Sequence, residues 1–196
     1  MNIYDFLLSF IQFTIAPITT LLAGVYGVKY GIKQFKEQKK IDIVENQLNK
    51  FYSPLLALHK EIKSKGEVRF KLKKAGDIVW EKMSAEISIY DEKTTADAIK
   101  YVDKEIDYNN KQFEDELLPL YSKMIEIFRD NFWLAEPETR KYYYNLIEFV
   151  EIWKRWLLKT IIPDVIKEID QGEANLHPFY EELENRTNIL KDKITK

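Results

Sequence analysis

The chain contains no cysteine. That excludes a disulfide scaffold, thiolate metal sites, a cysteine nucleophile and thiol redox chemistry. Histidine is nearly absent too: His59 and His177 are the only two and lie far apart in sequence. No H-E-x-x-H stretch or other metal-ligand spacing is present, so no metal or cofactor is expected. The six glycines and six prolines are scattered, and no G-x-x-x-x-G-K-[ST], G-x-G-x-x-G or G-x-S-x-G motif occurs. Repeats, low-complexity linkers and a glycine-rich hinge are likewise missing. What remains is a chain of 196 residues, 45% apolar and 14% aromatic. It is too apolar for a disordered segment and suits one domain of ordinary size.

Charged side chains are missing from one long stretch. Between Asp5 and Lys29 the 23 residues from Phe6 to Val28 contain no Asp, Glu, Lys, Arg or His. As a helix this run measures about 35 Å, enough for a hydrocarbon core of about 30 Å with some tilt. A secretory signal fits poorly, because Met1–Asp5 is not basic and no small-residue cleavage site closes the run. The run therefore predicts an uncleaved transmembrane anchor over residues 1–30, followed by a domain over 31–196. Lys29, Lys33, Lys36, Lys39 and Lys40 follow the run, and no Lys or Arg precedes it. The positive-inside rule then expects the N-terminus outside and the C-terminal domain in the cytoplasm, at the inner membrane in single-pass topology.

Gln12, Ala16, Thr19, Ala23 and Gly27 recur every three or four residues, with Gly31 completing a G-x-x-x-G. Small residues on one face let two helices approach closely, so this row is a candidate oligomerisation face. Pro17 removes one backbone donor from the span and could kink it.

The remainder reads as all-α, a cytoplasmic helical bundle whose first helix continues from the anchor. Ile41, Val44, Leu48, Phe51, Leu55 and Leu58 share one helical face. Pro54 predicts a kink or break after Ser53, and Gly66 a turn. Val68–Lys73 alternates like a strand, but Val68, Leu72, Val79 and Met83 fit a helix, and a helix is expected there. A further helical region is expected over 94–132, with Thr95 as N-cap and a bend at Pro119. Pro137 should occupy a first helical position, and Tyr142–Ile162 should form an amphipathic helix with Phe149, Trp153 and Trp156 on its apolar side. A short piece from Pro163 should end at a Gly172 cap, and the last helix should open at Pro178.

The net charge of -2 conceals a split. Residues 29–84 hold 14 basic and 7 acidic side chains, net +7, and residues 85–196 are net -8. Basic residues beside the run suit an anionic leaflet. Lys63, Lys65, Arg69, Lys71, Lys73 and Lys74 resemble a nucleic-acid footprint, but Phe70 alone is a thin stacking platform, and nucleic acid is not an expected partner. Asp103, Glu105 and Asp107, like Glu114, Asp115 and Glu116, read as solvated faces rather than a cation loop.

Two clusters rise above this background. The first is Gln47–Leu55, with Phe51 and Tyr52. The second joins Trp133, Glu136 and Arg140 to Glu148, Glu151, Arg155 and Trp156. Together they are a candidate partner or ligand surface, a charged and aromatic-lined pocket. The alternative is a helix with aromatics in the core and an ordinary i,i+4 ion pair.

The segments Q-L-x-x-F-Y-x-P-L, L-A-E-P-E-T-R, E-F-V-E-I-W-K-R-W and H-P-F-Y-E-E-L-E resemble those of a group of uncharacterised bacterial single-pass membrane-anchored proteins with an all-helical cytoplasmic domain. The resemblance implies that layout and carries no activity. Three function classes follow. The first is a non-enzymatic interaction or sensor module that binds a protein partner or self-associates as a homo-oligomer at the lipid membrane. The second is a membrane-perturbing, pore- or leak-forming effector of a phage-defence or prophage system. The third, least favoured, is an enzyme using Glu148, Glu151, Tyr52 or His59 in acid–base chemistry.

Overall fold

The computed structural model describes residues 3–4, 16–86, 92–169 and 172–195, and among these there is no β-strand. Eight α-helices are described: α1 (Ala16–Gln47), α2 (Ser53–Glu86), α3 (Glu92–Gln112), α4 (Leu118–Asp130), α5 (Pro137–Arg140), α6 (Tyr142–Leu157), α7 (Pro163–Ile169) and α8 (His177–Thr195). Single 3-10 turns cover Phe132–Leu134 and Glu173–Leu176, and π turns cover Leu48–Tyr52 and Phe113–Leu117. The chain divides into two compact units, Met1–Glu45 and Asn46–Lys196.

The two π turns have one cause. A proline inside a helix lacks its N–H, and its ring presses on the carbonyl four residues back. Widening the preceding turn moves that carbonyl away. The N–H of Ser53, just before Pro54, donates to the carbonyl of Leu48, five residues back. The N–H of Leu118, just before Pro119, donates to that of Phe113 in the same way. The expected kink at Pro54 and bend at Pro119 are thus absorbed as wide turns.

In the first unit α1 exposes Leu21, Val25, Tyr26 and Val28. Further along, Lys33 pairs with Glu37 at 4.0 Å and the Gln34 amide donates to the Tyr30 hydroxyl at 2.9 Å. No helix of the described residues is long and apolar enough to cross a membrane. Phe6–Ile15, which include Gln12, lie outside the described residues. The part of the charge-free run inside α1, Ala16–Val28, spans about 20 Å, short of a bilayer core by itself.

In the second unit the N-terminal half of α2 packs on α4 and α8, α4 packs on α6, and the turn Leu48–Tyr52 packs on α8 and α4. Phe51 stands at the centre, fully buried. Its ring meets Tyr52 and Phe128 edge-on, each with centroids 4.9 Å apart, and Phe128 continues the cluster to Tyr143 at 4.9 Å. Edge-to-face contacts of this kind add about 0.5–1.5 kcal/mol beyond area burial. Of the predicted stripe, Leu48, Phe51, Leu55 and Leu58 are buried, Val44 is half-buried and Ile41 exposed; burial extends one turn to Ile62 and stops. From Lys63 to Lys82 every residue except Lys65 is exposed.

Several sequence expectations are corrected. Gly66 lies inside α2 with nothing near its missing Cβ; helical neighbours on both sides override one glycine, so no turn forms. α3 begins at Glu92, so Thr95 is an interior residue and not an N-cap. α6 ends at Leu157, not Ile162. Lys159 adopts φ 55°; its N–H bonds the Trp156 carbonyl while the Thr160 N–H bonds that of Arg155. This is a Schellman ending with lysine in the place usually held by glycine. Gly172 is extended and precedes a 3-10 turn, so it is no left-handed cap. Pro137 does open a helix, and Pro178 is the second residue of α8.

Candidate functional site

Two polar constellations lie inside the second unit. The first is built on the turn between α4 and α6. Asn131–Ala135 turns through a 3-10 segment, and Pro137 starts α5 with its φ already set. The backbone N–H of Glu136 donates to the Tyr52 hydroxyl at 3.0 Å. Tyr52 and the Thr139 hydroxyl are 3.0 Å apart, and Thr139 donates to Glu182 of α8 at 3.1 Å. Thr139 has one proton, directed at the carboxylate, so Tyr52 must be the donor in their contact. Glu182 also accepts from Arg186 at 2.8 Å, and Arg186 reaches Glu138 at 3.2 Å. Gln47 donates to the Leu134 carbonyl at 3.0 Å and to Glu136 at 3.2 Å. The result is one directed chain of hydrogen bonds joining the Leu48–Tyr52 turn, α5 and α8. Burial raises the Tyr52 phenol above its ordinary pKa, so it stays protonated and keeps that direction.

This constellation redistributes the expected partner surface. Phe51 and Tyr52 are fully buried and therefore belong to the core, not to a docking surface; an aromatic stripe continuous with Leu55 and Leu58 is drawn inward with it. Glu136 is half-buried and bonded. Arg140 folds back to the carbonyls of Ala135 at 2.8 Å and Trp133 at 3.3 Å, with its guanidinium 5.4 Å from the Phe132 ring centroid. Trp133 is exposed. Glu151 and Arg155 form an exposed ion pair at 2.8 Å, and Trp156 meets Trp153 edge-on at 5.5 Å. Glu148 is half-buried on the same helix. The structure ties the first cluster to the turn, while the α6 residues stay a separate surface pair with its neighbouring tryptophans. Of the expected oligomerisation face, Thr19, Ala23, Gly27 and Gly31 are exposed on α1, Ala16 begins that helix, and Gln12 lies outside the described residues.

The second constellation was not visible in the sequence. His59 of α2 is buried and stacks on Tyr180 of α8 with centroids 3.7 Å apart and planes 18° from parallel. Its Nδ1 is buried without a hydrogen-bond partner. Burial lowers the His59 pKa, with Glu184 opposing and Lys63, His177 and Lys60 reinforcing the shift. His177, the first residue of α8, lies 6.5 Å from the Tyr180 ring, so the fold brings together the only two histidines. Tyr121 donates to Glu173 at 2.8 Å. Burial raises the phenols of both Tyr121 and Tyr180. A surface cleft of about 240 Å³ beside His59 is lined by Lys60, Lys63, Ser64, Glu67 and Glu184, with Lys60 and Glu184 3.8 Å apart. The His59–Tyr180 stack packs α2 against α8. No group of three or more metal-ligating side chains occurs among the described residues.

The third feature is what the bundle leaves uncovered. Val68, Leu72 and Val79 of α2 and Ile99, Val102 and Ile106 of α3 are each between 51% and 66% exposed. Spacings of four and seven residues on α2, and of three and four on α3, place them on one face of each helix. Lys65 of α2 pairs with Glu61 on the same helix and with Glu116 of the π turn that follows α3. The signal for this surface was present in the 3–4 spacing of Ile99, Val102 and Ile106, which the acidic residues between them obscured. The chain matches no family model, and comparison with curated proteins and with solved structures found no similar one.

Proposed function

We propose that the chain is a membrane-anchored interaction module whose helical domain docks a partner and performs no chemistry of its own. The observation that carries this reading is the contrast within α2. Up to Ile62 it buries Leu55, Leu58 and Ile62 in the bundle; beyond it Val68, Leu72 and Val79 stand in solvent, opposite in kind to the lysines around them. Ordered apolar rows at helical spacing on an exposed helix are the mark of helix-on-helix recognition. The charge-free run Phe6–Val28 and the basic residues after it support anchoring at the inner membrane with the domain in the cytoplasm. The four quoted sequence segments support kinship with single-pass membrane-anchored proteins. Anchoring is tested by alkaline carbonate extraction of membranes carrying the full chain. Retention in the pellet, lost when Leu21 and Val25 are both replaced by lysine, is the expected result. Release of the unaltered chain would overturn the anchor, and depolarisation on induction would favour the membrane-perturbing class instead.

A further inference from the structure

The exposed rows of α2 and α3 fit each other. On α2, Val68, Leu72, Ala75 and Val79 follow the four-three-four spacing of a coiled-coil seam, and Ile99, Val102 and Ile106 of α3 continue the same rule. Laid antiparallel, one register sets Val68 against Ile106, Leu72 against Val102 and Ala75 against Ile99. That same register brings Arg69 beside Asp103 and Lys71 beside Glu105, on the two flanks of the seam. Apolar layers and charge signs thus agree on one alignment. Within the chain the seam is not closed: Val68, Leu72, Val79, Ile99, Val102 and Ile106 are half or more exposed, and none of these four charged side chains makes an ion pair among the described residues.

We propose that the occupant is a second copy of this chain, with α2 of each copy pairing antiparallel with α3 of the other. The arrangement is a two-fold, self-complementary interface in which each seam is made twice. A second copy also explains apolar residues that a single neighbouring helix would leave in water. Phe70, Ile78 and Trp80 lie off the α2 seam and Tyr101 and Tyr108 off the α3 seam, and all five are exposed. Helices apolar on more than one side are those buried among several others, and a partner arm supplies two helices at once. This inference rests on the interaction-module reading and names its partner.

The absence of cysteine provides the test. Leu72→Cys and Val102→Cys are placed on separate full-length chains carrying different tags, co-expressed, and mildly oxidised in isolated membranes. The expected product is a disulfide between the two tags. Reversing charge with Arg69→Glu and Lys71→Glu in one chain, against an unaltered α3, should cut that product at least about tenfold. Adding Asp103→Lys and Glu105→Lys to the chain carrying Val102→Cys should restore it, which a merely misfolded variant cannot do. A disulfide that forms only when both cysteines sit on one chain would overturn the proposal in favour of closure within a molecule. No disulfide at all would assign the surface to a different partner and equally overturn it. Neither result alters carbonate retention, so anchoring stands or falls separately.

Discussion

Tyr52 illustrates how one hydroxyl can order three elements. Its oxygen accepts the Glu136 N–H and its proton goes to Thr139, which passes its own to Glu182. Tyr52→Phe strips the Glu136 N–H of its acceptor and the Thr139 oxygen of its donor, and each polar group stripped in this way costs up to about 1–3 kcal/mol. We expect the midpoint of urea unfolding to fall accordingly, with secondary structure unchanged by circular dichroism. His59 carries the pH dependence. Its pKa is lowered in the folded state by burial, so the unfolded chain binds the proton more readily. Stability at this site is therefore complete above the ordinary histidine value of about 6.5 and declines as pH falls below it. The charged neighbours act in both directions: Glu184 favours the imidazolium, and Lys63, His177 and Lys60 disfavour it. Unfolding midpoints measured from pH 7.5 to about pH 5 should show a slope that flattens in His59→Phe. An unchanged slope would place the titrating group elsewhere.

Elements were legible where a repeating pattern was enforced by burial. The stripe Phe51, Leu55, Leu58 announced the inner face of α2 because it is the core, and Pro137 announced α5 because its fixed φ suits a first helical residue. Other boundaries followed energies that a local reading does not contain. Gly66 costs a helix only about 1 kcal/mol relative to alanine, less than its neighbours supply, so α2 runs through it. α6 stops short of Pro163 because Lys159 takes a left-handed conformation, which lysine tolerates poorly. Lys159→Gly should relieve that cost and raise stability by about 1 kcal/mol; the fluorescence of Trp153 and Trp156 during denaturation would report it. The candidate site was half legible. The segments around Tyr52 and Glu136 stood out, yet their closeness depends on the route of the chain through α2 to α4. The meeting of His59 with His177 depends on the same route.

Within the second unit, which holds most of the molecule, the division of labour runs along α2. Residues 51–62 hold the bundle together, and residues 63–82 are left to solvent or to a partner. Hydrogen exchange should therefore change abruptly within one uninterrupted helix. Amides near Leu58 should be protected close to the global stability, and those near Val79 by fraying alone. If two arms pair, raising the protein concentration should slow exchange from Val68 to Val79 and across Ile99 to Ile106, leaving the Phe51 region unchanged. Uniform exchange along α2 at every concentration would contradict that division.

The wide turn at Phe113–Leu117 sets the azimuth of that surface. It holds one more residue per hydrogen-bonded loop than the helices it joins, so it rotates everything upstream by about 100° relative to a regular helix. The phase of the α3 seam against the bundle is therefore fixed locally, by Pro119 and the turn before it. Removing one residue from the turn together with Pro119→Ala would leave both the bundle and the seam chemically intact while pointing the seam in a new direction. The chain thus carries, in five residues and a proline, an adjustable bearing between its core and its outward face.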